Sequence, residues 1–303
     1  MTSGADRPYH LERRLVRGAF DDSAARYDEA AVLQREVAGR MIERLDLVRL
    51  APGRIADVGA GTGGTALALG RRYRRARVVA VDLAPRMLIH ARRKLPRLLR
   101  WSRRFHFLCG DAQQLPLANH SVDLLFSNLT LQWCNDPDAA FRDFRRVLPP
   151  EGLLLFSTFG PDTLKELRDS WRRVDAYTHV NLFIDMHDIG DALVRAGFAA
   201  PVMDVETITV TYREVRQLMR DLKAIGAHNV TAGRRRGLTT AGRLAELERA
   251  YGTFRRDGLY PATYEVVYGH AWAPAPGAAR GASTPGVATV PLETLRRRGG
   301  HGS

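Results

Sequence analysis

Arg54-Ile55-Ala56-Asp57-Val58-Gly59-Ala60-Gly61-Thr62-Gly63-Gly64 is the stretch on which the fold turns. Ile55 to Val58 read as the end of a short buried strand. Gly59, Gly61 and Gly63 then form a turn whose backbone a ligand can approach without Cβ atoms in the way. Thr65-Ala66-Leu67-Ala68-Leu69 restarts the chain as a helix, so the turn ends at a helix N-terminus. That is the geometry of a nucleotide or dinucleotide pocket. The glycines alone do not choose the ligand, because Gly59-x-Gly61-x-x-Gly64 also fits the NAD fingerprint. Asp57, two residues before the first glycine, points elsewhere: a carboxylate at the strand end attracts a cation such as a ligand's amino group.

Beyond this turn, Arg77 to Asp82 reads as a second buried strand ending in an acid, 19 residues after Gly63. A carboxylate there has two oxygens placed for a ribose diol. A helix follows from Pro85 to Leu95. Phe105 to Cys109 is a third strand running into Gly110-Asp111-Ala112, and Val122 to Asn128 a fourth. A helix from Asp136 to Leu148 leads to a fifth, Leu153 to Phe159. Strands and helices alternate at spacings that require parallel crossovers, so the fold class is α/β, a doubly wound, mostly parallel sheet. Helices at 163–173 and 188–196 and two further strands, about 202–211 and 263–272, complete it. Asp57/Gly59, Asp82, Asp111 and Asn128 then stand at one carboxyl edge, where open α/β sheets bind ligands. Asp111-Ala112 suits a base edge, a polar group beside a small residue that makes room.

Upstream, Asp21-Asp22-Ser23 offers N-cap chemistry for a helix through about Leu45, with Leu33, Val37, Met41 and Leu45 at helical spacing. That helix carries Tyr27 and Gln34 and covers the pocket mouth. Residues 1–18 are read as a flexible N-terminus, 212–262 as an inserted helical lid, and the Ala/Pro/Gly-rich 273–303 as a disordered tail. Lys and Arg number 46 against 33 Asp and Glu, a net charge of +13. Such a balance favours acidic partners. Thirteen of the basic residues lie between Arg71 and Arg104, with Asp82 the single acid. Cys109 and Cys134 have no metal spacing and read as core thiols. With no spanning apolar run or leader-like segment, a cytoplasmic protein is expected.

These strand ends resemble those of class I S-adenosylmethionine-dependent methyltransferases. The resemblance implies a seven-stranded Rossmann-like sheet with its last strand antiparallel. Asp57, Gly59, Gly61 and Gly63 match the glycine motif around the methionyl part, with Ala60 in the same turn. Asp82 matches the ribose acid, with Leu83 and Met87 just beyond it. Asp111 and Ala112 match the adenine contact, and Asn128 and Leu129 complete the cofactor set. A closer resemblance lies in Ser127-Asn128-x-x-x-Gln132-Trp133, in Phe156-Ser157-Thr158-Phe159-Gly160 with Thr163-Leu164-x-Glu166-Leu167, in Ala24-Ala25-x-Tyr27-Asp28, in Ile225-Gly226-Ala227-x-Asn229 and in Thr263 to Tyr268. These look like the malonyl-acyl-carrier-protein O-methyltransferases of biotin synthesis, over residues 17–272 and including the lid. The arginine-dense 86–104 and the long tail depart from that pattern.

The resemblance implies methyl transfer to the free carboxylate of a malonyl thioester, on acyl carrier protein or coenzyme A. That nucleophile is ionised at pH 7, so no general base is needed. The work is to hold oxygen and methyl carbon roughly 3–3.5 Å apart with water excluded. Tyr27 and Gln132 are the candidate catalytic residues around the methyl group. An anionic substrate favours an arginine fork, and the sequence leaves open which arginine supplies it. His179 and Asn181 are read first as structural, with lining of the acyl site as the alternative, Trp133 as core, and Arg146 as a helix residue tied into the sheet. Arg234, Arg235 and Arg236 are the candidate docking residues for an acidic carrier protein. A monomer is expected. A nucleic-acid methyltransferase, another small-molecule methyltransferase and a non-catalytic cofactor-binding protein remain as alternatives. The first lacks an Asn/Asp-Pro-Pro-aromatic motif, since Asn128-Leu129-Thr130-Leu131 stands there.

Overall fold

The run Arg54–Val58 forms β1, the middle of the sheet, in a computed structural model that describes residues 10–227, 229–231 and 240–275. Ile55, Ala56 and Val58 are fully buried because β1 has neighbours on both edges and helices on both faces. It pairs in parallel with β2 (Arg77–Asp82), Ile55 opposite Val78, and with β4 (Leu124–Asn128), Ile55 opposite Leu124. β3 (Phe105–Cys109) adds to β2 and β5 (Leu153–Phe159) to β4. The last two strands, β6 (Ala199–Tyr212) and β7 (Tyr260–Trp272), close the order β3-β2-β1-β4-β5-β7-β6. β7 runs antiparallel to both its neighbours. Strand order reverses at β1, which opens a crevice outside the carboxyl ends of β1 and β4.

Two apolar layers sandwich the sheet. On one face, α3 (Val32–Arg44) and α4 (Gly64–Arg72) pack Val37, Met41 and Leu69 against Ile55, Val78 and Phe126. The helices α5 (Pro85–Lys94) and α6 (Arg97–Trp101) fill the β2–β3 crossover. On the other face, α7 (Pro137–Val147) presents Ala140, Phe141, Phe144 and Val147 at helical spacing. Burying each Phe contributes about 1.5–3 kcal/mol. Its start is specified locally: Asp136 caps the Ala139 N–H at 2.9 Å and Pro137 follows. α8 (Lys165–Arg172) and α9 (Met186–Arg195) follow β5, and α10 (Val215–Ala224) and α11 (Ala241–Tyr251) lie between β6 and β7. Trp171, Tyr212, Leu218, Leu247, Tyr251 and Tyr264 form a third core that joins this insertion to the sheet.

The N-terminus departs from the sequence reading. Asp21-Asp22-Ser23 ends a helix, α1 (Arg13–Ser23), and does not begin one. Ser23 Oγ donates back to the Phe20 carbonyl at 3.0 Å, a bond that competes with helix continuation. A short α2 (Tyr27–Ala30) then precedes α3, separated from it by Ala31. Residues 10–18 are therefore built into the fold: Leu11 exchanges two hydrogen bonds with the Asn135 side chain, at 2.8 and 2.9 Å. Cys109 also departs, being exposed, and Cys134 is half-buried. Arg234–Arg236 and the tail beyond residue 275 lie outside the described residues. Among the described residues, no helix is long and apolar enough to cross a membrane.

Candidate active site

The glycine turn hangs from β2: the amides of Gly59 and Ala60 both donate to the Val81 carbonyl, at 2.8 and 3.0 Å. Gly59 has φ +75°, and a Cβ there would overlap the Thr130 side chain, whose hydroxyl binds the Val58 carbonyl at 3.1 Å. Gly63 has φ +78°, and its Cβ would come within 2.6 Å of the Ala91 Cβ. Glycine is required at both for conformation and for space. The turn is held on its other side by Asp82. One carboxylate oxygen accepts the Gly61 N–H and the other the Ala84 N–H, each at 2.8 Å. Each oxygen keeps a second lone pair for a diol. Burial pushes Asp82 up to about 6, against the pull of those amides.

Asp57 lies lower than the sequence suggested. Its residue is 1% exposed, it does not line the cavity, and its Oδ2 is buried with no hydrogen-bond partner. Burial, with the Asp82 charge behind it, pushes it up to about 7. The reason is register: Asp57 is opposite Ala80 and Phe126 inside the ladder, one step short of the edge. A cation above the turn would favour its charged form through space, without contact. Ala60 and Gly63 likewise shape the turn without lining the cavity.

The cavity holds about 500 Å³, the size of a small-molecule site. Gly59, Gly61, Asp82, Leu83, Met87, Asp111, Ala112, Asn128, Leu129, Tyr27 and Gln132 all line it. The β4 end is held in an unusual form. Leu129 has φ +49°, and its N–H reaches both the carbonyl and the hydroxyl of Ser157, at 3.0 and 3.1 Å. Such strain persists only where surrounding bonds over-determine it, and it clusters at functional sites. Asn128 donates to the Gln34 carbonyl at 3.0 Å and accepts from Ser157 at 2.9 Å. Gln132 donates to the Leu129 carbonyl at 2.7 Å and accepts from Thr158 at 3.2 Å. Both amides are thereby fixed facing the cavity.

From above, the Tyr27 ring comes within 3.7 Å of where a Gly61 Cβ would stand. Burial, then the Asp82 and Asp28 charges, push its phenol well above the ordinary range, so it stays neutral. α1 closes the adjoining wall with Val16 and Phe20, and Phe20 stands edge-on to Trp133 at 5.1 Å. Trp133 packs, as expected, against a core cluster of Leu11, Val16 and Ala19, and it also lines the cavity wall. Cys134 also lines the cavity, its thiol pushed up to about 12 by burial. Asp111 binds Arg13 at 2.7 Å and the Gln113 N–H at 2.8 Å.

The far wall comes from the end of β5 and the segment after it, from β6 and β7, and from the insertion, through Phe159, Leu164, Tyr212, Tyr264 and Leu222. His179 and Asn181, read from sequence first as structural, also line it. No arginine or lysine lines the cavity among the described residues; the acids Glu36, Asp82, Asp111 and Asp221 do. The expected arginine fork is therefore not among the described residues of this wall. Arg146 ties α7 to the Leu115 and Leu117 carbonyls of the loop between β3 and β4, and not to the sheet itself.

The chain fits a cationic nucleoside cofactor. Orphaned oxygens on Asp57 and Gln34 flank a turn with no side chain above Gly61 except Tyr27, and Asp82 retains two free lone pairs. Comparison with known proteins agrees. Residues 56–156 match the family described as Methyltransferase domain. The YcgJ protein of Bacillus subtilis shares the fold, with a TM-score of 0.55 at 18% identity over 79% of this chain and 99% of that one. The malonyl-[acyl-carrier protein] O-methyltransferase of Methylovorus sp. (strain MP688) is 56% identical over 269 residues, 88% of this chain and 90% of that protein. The protein of the same name from Laribacter hongkongensis is 58% identical over 271 residues, 88% and 91% of the two. With relatives this similar along nearly the whole length of both partners, the chain belongs to the malonyl-[acyl-carrier protein] O-methyltransferase family.

Proposed function

We infer that this enzyme transfers the methyl group of S-adenosylmethionine to the free carboxylate of malonyl-acyl carrier protein, giving the methyl ester used in biotin synthesis. The observation that carries the reading is the identity of 56–58% along about nine-tenths of each relative. The cofactor supplies an activated methyl group on a sulfonium; the rest is positioning by the chain. Asp82 takes the ribose hydroxyls, Asp111 and Ala112 the adenine, and Leu83 and Met87 pack against the nucleoside. The Gly59–Gly63 turn, with Ala60 in it, passes under the methionyl part, and Asp57 senses its charge from below. Asn128 and the Leu129 backbone complete the wall.

Tyr27 and Gln132 flank the transferred methyl. Neither needs to move a proton, since the substrate carboxylate is already ionised. Their function is alignment and exclusion of water. The insertion between β6 and β7 acts as a lid over the acyl group, and Arg234–Arg236 meet the acidic carrier protein. Labelled methyl transfer to malonyl-carrier protein, malonyl-coenzyme A and bulk RNA, run in parallel, tests the reading. A base-labile ester on malonate is expected, and label on RNA alone would overturn it.

A further inference from the structure

His179 stands apart in the cavity wall. Among the described residues it is the one lining side chain that can carry positive charge. Its ring stacks flat on Trp171 of α8, centroids 3.7 Å apart and planes 4° from parallel. Its Nε2 is 2.7 Å from Asp175 Oδ1. The other Asp175 oxygen accepts from Arg243 of α11 at 2.9 Å, and the Tyr177 N–H adds a third bond at 3.0 Å. Burial works to raise Asp175, but the bonds from His179 and Tyr177 bring it below its ordinary value, so it stays a carboxylate. Stacking and the Asp175 bond together fix both the plane of the imidazole and the nitrogen that faces Asp175. Arg243 already balances the Asp175 charge. A protonated His179 therefore leaves this group with a net positive charge at the cavity wall.

We propose that His179 is the substrate-binding cation of this enzyme, with its Nδ1–H donating to the anionic carboxyl end of the malonyl group. The proposal rests on the carboxylate-methylating reading above. An anionic substrate entering a wall that carries Glu36, Asp82, Asp111 and Asp221 meets repulsion from every other charged lining residue. Among the described residues the imidazole is the one wall group that reverses it. Unlike an arginine, the imidazole carries that charge only when both ring nitrogens hold a proton. The groups that bear on it are Asp175 on the segment after α8, Arg243 on α11, Asp221 on α10 across the cavity, and the Tyr212–Tyr264 hydroxyl pair on β6 and β7. Affinity for the malonyl substrate should then weaken as pH rises and the imidazole gives up its second proton. The methyl ester product, which is neutral, should show no such trend.

The test uses the full chain. Dissociation of malonyl-carrier protein and of its methyl ester is measured from pH 6 to 9 with S-adenosylhomocysteine bound. At least about tenfold weakening is expected for the malonyl form and about none for the ester. In His179→Gln the KM for malonyl-carrier protein should rise about tenfold or more and lose its pH dependence, with cofactor affinity unchanged. Flat malonyl binding in the parent protein overturns the proposal, whether or not the variant folds. So does a folded His179→Gln with the parent's KM and pH profile. So does a charge preference that vanishes on removing Arg234–Arg236 and not on removing His179. Failure of the parent to methylate malonyl-carrier protein at all would instead remove the functional reading on which this stands.

Discussion

Arg13 on α1 reaches across to Asp111 beyond the end of β3, a 2.7 Å ion pair that spans the wall of the cavity. Asp111 is also the residue proposed for the adenine, and on that reading the N-terminal helix and the nucleoside share one carboxylate. The pair is open to solvent, and such pairs contribute about 1 kcal/mol or less to stability. Arg13→Ala should therefore leave the unfolding free energy nearly unchanged. Cofactor dissociation should quicken by up to about fivefold, the kinetic equivalent of about 1 kcal/mol. Stopped-flow release of a fluorescent cofactor analogue checks this, and an unaltered rate would mean α1 does not retain the cofactor.

Two glycine substitutions should move stability in opposite directions. Gly59→Ala puts a Cβ into Thr130 at φ +75° and should cost at least about 2 kcal/mol, with cofactor affinity falling in step. Gly39, in the middle of α3, has nothing within 4 Å of its Cβ position. Gly39→Ala should stabilise the protein by about 0.5–1 kcal/mol through helix propensity. Chemical denaturation of both variants reads the contrast.

Asp57 should make the cofactor-free protein sensitive to pH. Its folded-state value of about 7 lies above the ordinary 3.8, so the folded state holds the proton longer than the unfolded one. Stability is then greatest at low pH, falls as pH rises from about 4 to about 7, and is level above that. About three pH units correspond to an upper bound on the order of 4 kcal/mol. Asp82, raised to about 6, acts in the same direction. Because a bound cation favours both charged forms, S-adenosylmethionine should raise the melting temperature more at pH 8 than at pH 5. Equal shifts at the two pH values would remove Asp57 from cofactor recognition.

Tyr27→Phe should lower kcat/KM by only about fivefold, the worth of one hydrogen bond. Its pH profile should keep the parent's shape, because the phenol of Tyr27 stays neutral across the working range. Tyr27→Ala should lose more, since the ring itself covers Gly61. A changed profile in Tyr27→Phe would mean the hydroxyl moves a proton after all.

The sheet was legible because buried parallel strands are unbroken apolar runs with glycine or acid at their ends. Ile55–Val58, Val78–Asp82 and Leu124–Asn128 carry that signal within themselves. α1 was hidden by Arg13, Arg14 and Arg17, which mask a genuine stripe at Val16, Ala19, Phe20 and Ser23. Asp57 was misplaced by a single step, because a strand's last residue and its edge are distinguishable only by register. Of the cavity, the half built from strand ends could be read, since topology brings such ends together. Of the other half, His179 and Asn181 stood only as an alternative reading, and Tyr212 and Tyr264 could not be read at all. His179, Tyr212 and Tyr264 meet through Trp171 and the insertion, and no local pattern encodes a stack between side chains on separate elements.

The register of the last two strands pairs Tyr212 with Tyr260, the final residue of β6 with the first of β7. Everything between them leaves the ladder and returns to it at adjacent positions, about 5 Å apart. The insertion is therefore a cassette. It can be lengthened, shortened or exchanged between relatives without altering the span the sheet must bridge, while Asp82 and the glycine turn stay where they are. On the lid role proposed for it, selection can retune the acyl group accepted and leave the methyl donor untouched.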